Sequence, residues 1–395
     1  MNPSRSTLII GGLLLFFVAF SIFSSGGIPV AQQGAAIYRS QPSLALSCSM
    51  AREIDPSGPS FQLNPQIEGK YVIWTETYSV GGPTKLVYYD LGPDERFGTM
   101  DDGGKFSVMS SASYNENPQV HNGILMWVGG SGGIFDSIYQ CTLPQCASSP
   151  SSVILASTNE LFRRADFSGS LVAYIESPQA NLGVYSLHLY DSVSGSNTVI
   201  YNQPSAAITD LSIDKNFVVF SAVISSSGGD IYAYDRTTGS LLQVTNTPDP
   251  NTPGEIQPHL SYLSTGKSLL SYNKKSLSPA GGLQSELYVS QLTSGSGVQQ
   301  LLSINFANHG GGNIRVGPIG STIPLTTPYI HHIPPNPSVQ YLRKQSLPYS
   351  QYQKIRVPSP YPIQGAGDVW GNNVVTMAFS SSSGPYRVLI SRCAS

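Results

Sequence analysis

Residues 211–247, LSIDKNFVVFSAVISSSGGDIYAYDRTTGSLLQVTNT, restrict the fold more than any other stretch of the chain. An apolar run (Phe217, Val218, Val219, Phe220) is followed by a Ser/Gly turn from Ser225 to Gly229 and by the alternating run Ile231-Tyr232-Ala233-Tyr234. A second turn, Asp235 to Gly239, leads into Leu241 to Val244. With the short approach at Leu211 to Ile213, this spacing predicts four strands joined by tight turns. One such unit leaves both of its faces uncovered, so recurrence at about fifty residues would mean a radial array of small sheets.

The unit does recur. Apolar second strands end at Trp74, Trp127, Tyr174, Phe220, Tyr272 and Met377, and third strands follow at Leu86 to Asp90, Ser137 to Tyr139, Leu187 to Asp191, Ile231 to Asp235, Leu287 to Val289 and Tyr386 to Ile390. Three of the third strands end in Tyr-Asp, where the carboxylate is placed to accept N–H groups of the coming turn. The last step is about twice as long as the others, so it holds either a long insertion or a divergent extra unit. The expected class is all-β: a six-bladed β-propeller, with seven blades as the alternative, an N-terminal hydrophobic helix, and a Pro/Tyr-rich insertion before the last blade. The expected boundaries are 1–27 for a signal peptide or transmembrane anchor, 28–60 for a linker and ring-closing strand, and 61–395 for the propeller with its insertion at 305–360.

Composition agrees with many short strands and turns: 11% charged residues against 39 Gly, 29 Pro and 22 Tyr. The net charge is −2 and no dense Lys/Arg cluster exists, which argues against a nucleic-acid groove or a polybasic membrane patch. Leu8 to Phe23 carries no charge and ends at Ser24-Ser25-Gly26-Gly27. The run suits either a cleaved signal peptide or a retained membrane anchor, and both place the remainder outside the cell, secreted or held at the outer face of its membrane.

Four cysteines in an exported chain suggest two disulfides. Cys141 and Cys146 flank a short turn, which leaves Cys48 for Cys393. That second bridge would staple the strand-like Leu44 to Cys48 onto the last strand and seal the ring, stabilising it by about 3 to 5 kcal/mol in the chain-entropy model. Metal binding by Cys141 and Cys146 would need two further ligands that their neighbourhood lacks.

The segment Asn64-Pro65-Gln66-Ile67-Glu68-Gly69 is echoed by Asn117-Pro118-Gln119-Val120-His121-Asn122-Gly123. In the first unit Val72-Ile73-Trp74 and later Tyr88-Tyr89-Asp90-Leu91 follow it. This pattern resembles the TolB-type six-bladed β-propellers across most of residues 61–304 and again at 363–393. The resemblance implies a ring with a central channel and loops on two rims, used mostly to bind other macromolecules. Units three to five lack the Asn-Pro.

Between strands of the first unit, Asp90, Asp94, Asp101 and Asp102 fall within a Gly-rich loop that resembles the acidic Gly-Pro-Asp…Phe-Gly-Thr-x-Asp-Asp loops of exported proteins. Hard cations take six to eight oxygens, so Ca2+ in a structural role is the natural guest. The alternative is a loop whose aspartates cap their own turns. Gly129-Gly130-Ser131-Gly132-Gly133 fits the nucleophile-elbow spacing but sits between two strands, where it reads as a turn. Glu76, Glu176 and Asp210 are the carboxylates from which a glycosidase or lyase site would be built.

From residue 305 to 360 the rhythm stops. His309, His331, His332, Tyr349 and Tyr352 stand in this Pro/Tyr-rich stretch, which reads as an arm for a binding surface or for self-assembly. Adjacent histidines on an extended chain point to opposite sides, which disfavours a shared metal. Two functions stay open: a non-enzymatic exported module for a protein or glycan partner, and an extracellular carbohydrate-active enzyme.

Overall fold

The computed structural model describes residues 47–58, 61–79, 81–180, 183–203, 206–224, 229–246, 254–277, 283–306, 328–331, 338–343, 353–361, 363–379 and 385–394. The apolar run at Leu8 to Phe23 lies outside these residues, as do Leu44 to Leu46.

Five antiparallel four-stranded units follow one another along the chain, the fourth and fifth joined by a single parallel pair between Gly229 and Gly254. The first comprises Phe61–Glu68, Tyr71–Thr77, Thr84–Asp90 and Gly104–Ser107, and the second Tyr114–His121, Ile124–Ser131, Ile134–Thr142 and Ser152–Ala156. Glu160–Ser168, Leu171–Pro178, Ser186–Asp191 and Asn197–Asn202 form the third. The fourth consists of Ala206–Ile213, Phe217–Ile224, Gly229–Asp235 and Ser240–Gln243, and the fifth of Gly254–Ser264, Lys267–Leu277, Leu283–Thr293 and Gly297–Phe306. Among the described residues there is no α-helix, only a 3-10 turn at Gln145–Ala147.

A closing sheet is built from both ends of the chain. Ile363–Trp370, Asn373–Phe379 and Tyr386–Ala394 supply three strands, and the N-terminal pieces Ser47–Cys48 and Arg52–Glu53 pair antiparallel with the last of them. The Cys48–Cys393 disulfide fixes this pairing, and Cys141–Cys146 closes its local loop, so both expected bridges are present. Arg52–Glu53 was not foreseen as a strand. Its partners are Ile390 and Leu389, deeper along the same edge.

The apolar cores lie between neighbouring sheets, which explains why the second strands read as unbroken apolar runs. Side chains alternate across a strand. Tyr71 and Ile73 therefore meet Leu125 and Trp127 of the second sheet, while Val72 and Trp74 meet Val375, Val388 and Ile390 of the closing sheet. Further round, Phe217 and Val219 pack on the fifth sheet, while Val218 and Phe220 pack on the third. A strand covered on both faces loses the polar half of its alternation. The outermost strands of the first and fourth sheets, Gly104–Ser107 and Ser240–Gln243, are short and mostly exposed.

The Tyr-Asp strand ends cap their turns as expected: Asp90 accepts the Gly92 N–H at 2.9 Å, Asp191 that of Val193 at 3.0 Å, and Asp235 that of Thr237 at 2.9 Å. Gly129 to Gly133 is the hairpin between two strands of the second sheet, with Gly132 and Gly133 at φ 65° and 80°.

Within 305–360 a separate three-stranded sheet stands where the rhythm stopped: Pro328–His331, Ser338–Arg343 and Gln353–Arg356. The third falls on the charged/apolar alternation Lys354-Ile355-Arg356, a pattern that suits a strand. The first two pack against Ile363–Trp370, and Val357 enters the core on the face of the closing sheet turned away from the first sheet.

Candidate functional site

Gln66, Gln119, Arg164, Asp210, His259 and Gly367, one residue from the innermost strand of each sheet from the first to the closing one, line a common channel. All six strands are shifted by one residue against their neighbours at this level, between Leu63 and Gln66, Glu116 and Gln119, Phe162 and Arg164, Ile208 and Asp210, Ile256 and His259, and Gln364 and Gly367. A bulge frees a strand from strict pairing and re-aims side chains. Asn64, Asn117 and Gln257 take positive φ (52°, 51° and 55°) immediately before a proline. Asparagine tolerates this region better than most residues, and a proline inside a sheet belongs at such a bulge. The repeated Asn-Pro is thus the bulge itself, and the fifth sheet carries it as Gln257-Pro258.

The charges in the channel are matched to one another. Arg164 Nη1 lies 2.7 Å from Asp210 Oδ1. His121 Nε2 is 3.1 Å from Asp166 Oδ1, and its Nδ1 is 3.8 Å from Glu68 Oε1, so one imidazole links the innermost strands of three successive sheets. Asp166 also accepts the N–H groups of Phe167 (2.8 Å) and Ile213 (3.0 Å), the latter from the fourth sheet. Burial pushes the Asp166 carboxyl up, but the hydrogen bond and charge of His121, the Ile213 N–H and the charge of His259 outweigh it and hold the group below its ordinary value. At this level the channel holds two small adjoining cavities of about 60 and 70 Å³, each with room for a few waters.

The three carboxylates considered for catalysis occupy separate surroundings. Glu76 is buried and accepts from Trp74 Nε1 at 2.9 Å and Lys105 Nζ at 2.6 Å. Lys105 also grips Asp55 of the N-terminal segment, which ties that segment to the first sheet. Glu176 pairs with His188 at 2.8 Å on the third sheet, and Asp210 pairs with Arg164 in the channel.

In the acidic loop the carboxylates accept the loop's own donors. Asp90 bonds Gly92 N–H and Lys70, Asp94 the N–H of Arg96, Asp101 the Thr99 hydroxyl, and Asp102 the Gly98 N–H (2.8 Å) and the Tyr89 hydroxyl (2.9 Å). Among the described residues no three His, Cys, Asp or Glu side chains converge as metal ligands. In the insertion, His331 ends the first strand of the small sheet, and His309, His332, Tyr349 and Tyr352 lie outside the described residues.

A larger hollow, about 520 Å³, opens on the rim between the first and second sheets. Its walls are Leu86, Val108 and Ala112, its edge carries Tyr78 and Lys85, and Glu76 lies at its base. Its size falls within the usual range for a small-ligand site. Sequence reading missed it because its residues come from strand ends and loops of two sheets with no fixed spacing.

Neither a family model nor a curated protein sequence matches the chain. Solved structures do. The β-propeller domain of the Trilobed protease from Pyrococcus furiosus, described as having an open velcro topology, is similar at TM-score 0.53 and 10% identity, over 84% of this chain and 94% of that one. Oligogalacturonate lyase from Vibrio parahaemolyticus is similar at TM-score 0.55 and 9% identity, over 88% and 91%. TolB from Acinetobacter baumannii reaches TM-score 0.43 at 13% identity, over 82% and 65%. At such identities the first two likenesses speak for the fold alone: the chain is a β-propeller.

Proposed function

We propose that the chain is an exported, TolB-like propeller that binds a protein or glycan partner at its rim and performs no catalysis. The observation that carries this reading is that each candidate catalytic carboxylate is held by a basic side chain in its own place: Glu76 by Lys105, Glu176 by His188 and Asp210 by Arg164. A glycosidase or lyase instead needs two carboxyl groups facing one bond. Two disulfides and the apolar run at residues 8–23 support export, as a secreted or membrane-anchored protein. For the acidic loop, the internal hydrogen bonds support a turn that stands without Ca2+.

The ring is best described with seven positions, the small sheet occupying the seventh as an incomplete blade. Support comes from its first two strands against Ile363–Trp370 and from Val357 in the core on the closing sheet's second face. The test of function is incubation of the purified full chain with polygalacturonate and polymannuronate, followed for chain cleavage, beside cross-linking at the native cell surface. A defined cross-linked partner with no cleavage is expected. Turnover abolished by Asp210→Asn or Glu176→Gln would establish the enzyme instead.

A further inference from the structure

We propose that Lys105 and Asp55 become joined by a self-formed amide (isopeptide) bond, with Glu76 carrying the protons. Three side chains from three separate pieces of chain make the site. Lys105 comes from Gly104–Ser107, Glu76 from Tyr71–Thr77, and Asp55 from the segment that follows Arg52–Glu53. Lys105 Nζ lies 2.6 Å from Glu76 Oε1 and in direct contact with Asp55 Oδ2. The Glu76 and Asp55 side chains are 7% and 10% exposed, and that of Lys105 30%.

Each partner is held for a distinct part. Glu76 Oε1 accepts from Trp74 Nε1 at 2.9 Å, and the Trp74 ring centre lies 5.8 Å from Lys105 Nζ, so the base and the amine meet beside an aromatic wall. The Asp55 carbonyl accepts from Gln62 Nε2 at 2.9 Å, which pins the segment. Asp55 Oδ1 accepts from the Ser57 hydroxyl at 3.1 Å, while Oδ2 is turned to the lysine. Oδ1 thus already has a donor for the negative charge that develops on it during attack.

A proton first passes from the Lys105 ammonium to Asp55 Oδ2 by way of Glu76, leaving a free amine and a carboxylic acid. Nζ then attacks Asp55 Cγ. Glu76 takes a proton from the nitrogen and returns it to Oδ2, the Cγ–Oδ2 bond breaks, and one water leaves. Nothing is oxidised or reduced, and Glu76 ends as the carboxylate it began as. Burial pushes the Lys105 ammonium down, but its hydrogen bonds and charge contacts with Asp55 and Glu76 outweigh this and hold it above its ordinary value. Burial likewise pushes Asp55 up, and Lys105 outweighs it. The neutral pair is therefore the minor form and the step is slow, but it is needed only once per molecule. A positioned pair behaves as though its partner were present at about 10⁵ M or more, which offsets the mass action of water against amide formation. The bond would link residues 50 positions apart and give the N-terminal segment an attachment that no reductant opens. It acts on the chain itself and involves no turnover of an outside substrate.

Tryptic mapping of the full chain after disulfide reduction tests the bond. Trypsin does not cut after an acylated lysine, so residues 53–70 should appear joined to residues 97–163, at the sum of their masses less one water. Lys105→Arg keeps a cation beside both carboxylates and should give no joined species. Glu76→Gln should slow formation by about a hundredfold or more. Ser57→Ala, at an exposed position, should slow it by about tenfold or more with an unchanged melting curve. Separate 53–70 and 97–105 peptides from the folded parent chain after prolonged incubation, with no joined species, would overturn the bond. Lys105 joined instead to residues 71–85 would place the bond on Glu76 and overturn the assignment of Asp55. Formation equally fast in Glu76→Gln and in the parent would overturn the part given to Glu76.

Discussion

Asp368 Oδ2 accepts the main-chain N–H of Ile67 at 2.8 Å, so a side chain of the closing sheet satisfies the backbone of the first sheet across the seam. Strand pairing between these two sheets is limited to Tyr386 and Phe61. Asp166 repeats the device toward Ile213, and Ser212 repeats it toward the Leu260 N–H at 3.2 Å. Neighbouring sheets meet face to face and cannot share a full backbone ladder, so short polar side chains on the innermost strands supply the missing partners.

Asp368→Ala leaves the Ile67 and Val369 N–H groups without their acceptor in a buried place. The expected loss is about 3 kcal/mol in urea unfolding. Asp368→Asn keeps one acceptor oxygen and should lose less, about 1 kcal/mol. Equal effects from the two changes would show that charge, not acceptance, holds the seam.

Cys393→Ser removes the bond between residues 345 positions apart. A loss of about 3 to 5 kcal/mol is expected from a cross-link spanning so long a loop. Cys146→Ser opens a loop only 5 positions long and should matter less. Denaturant midpoints for the two variants, measured without reductant, give the comparison.

The lowered pKa of Asp166 has a definite consequence for acid stability. Its folded value lies below the unfolded value of about 3.9, so its contribution is present above about pH 4 and is lost as pH falls through the folded value. Asp166→Asn should cost about 3 kcal/mol at pH 7, because His121 loses a buried partner. The variant should also show a shallower decline below pH 4. Thermal melts from pH 2 to pH 7 read both effects.

Gly367 lies where a Cβ would come within 2.0 Å of the Val375 carbonyl oxygen. Gly367→Ala is expected to cost about 2 to 3 kcal/mol by forcing the bulge open. The same change at Gly132, where a Cβ meets nothing within 4 Å but φ is 65°, should cost less, about 1 kcal/mol. Paired denaturation curves distinguish steric overlap from backbone preference.

For the acidic loop, Asp102→Ala removes the acceptor for Gly98 N–H and Tyr89 Oη and should cost about 1 to 2 kcal/mol. That loss should be the same in EDTA and in millimolar Ca2+. A melting temperature of the unsubstituted chain that rises with Ca2+ would instead establish a cation site there.

The repeat was legible because Val72-Ile73-Trp74 and its counterparts are buried from both sides, a condition that writes itself into the sequence as an apolar run. The channel bulges leave a repeated mark only at Asn64-Pro65 and Asn117-Pro118, which the sequence shows as a motif without its backbone meaning. Gln257-Pro258 escaped because the same backbone shape is held there by a different residue. In the third and fourth sheets the bulge falls at Arg163 and Thr209 without proline, where periodicity carries no trace of it. Pairings such as Arg164 with Asp210 depend on how sheets stand side by side, and no spacing along one chain encodes that. The small sheet was half legible: Lys354 to Arg356 reads as a strand, whereas Pro328–His331 hides in a proline-rich stretch.

The edge that seals the closing sheet is made of residues 47–53, and its partner strand ends at Ala394. A ribosome adding about 5 to 20 residues per second needs roughly 20 to 70 s to supply the second after the first. For that interval the opening strand waits unpaired and Cys48 holds a lone thiol. Anything that shields those few residues until translation finishes governs the yield of intact rings.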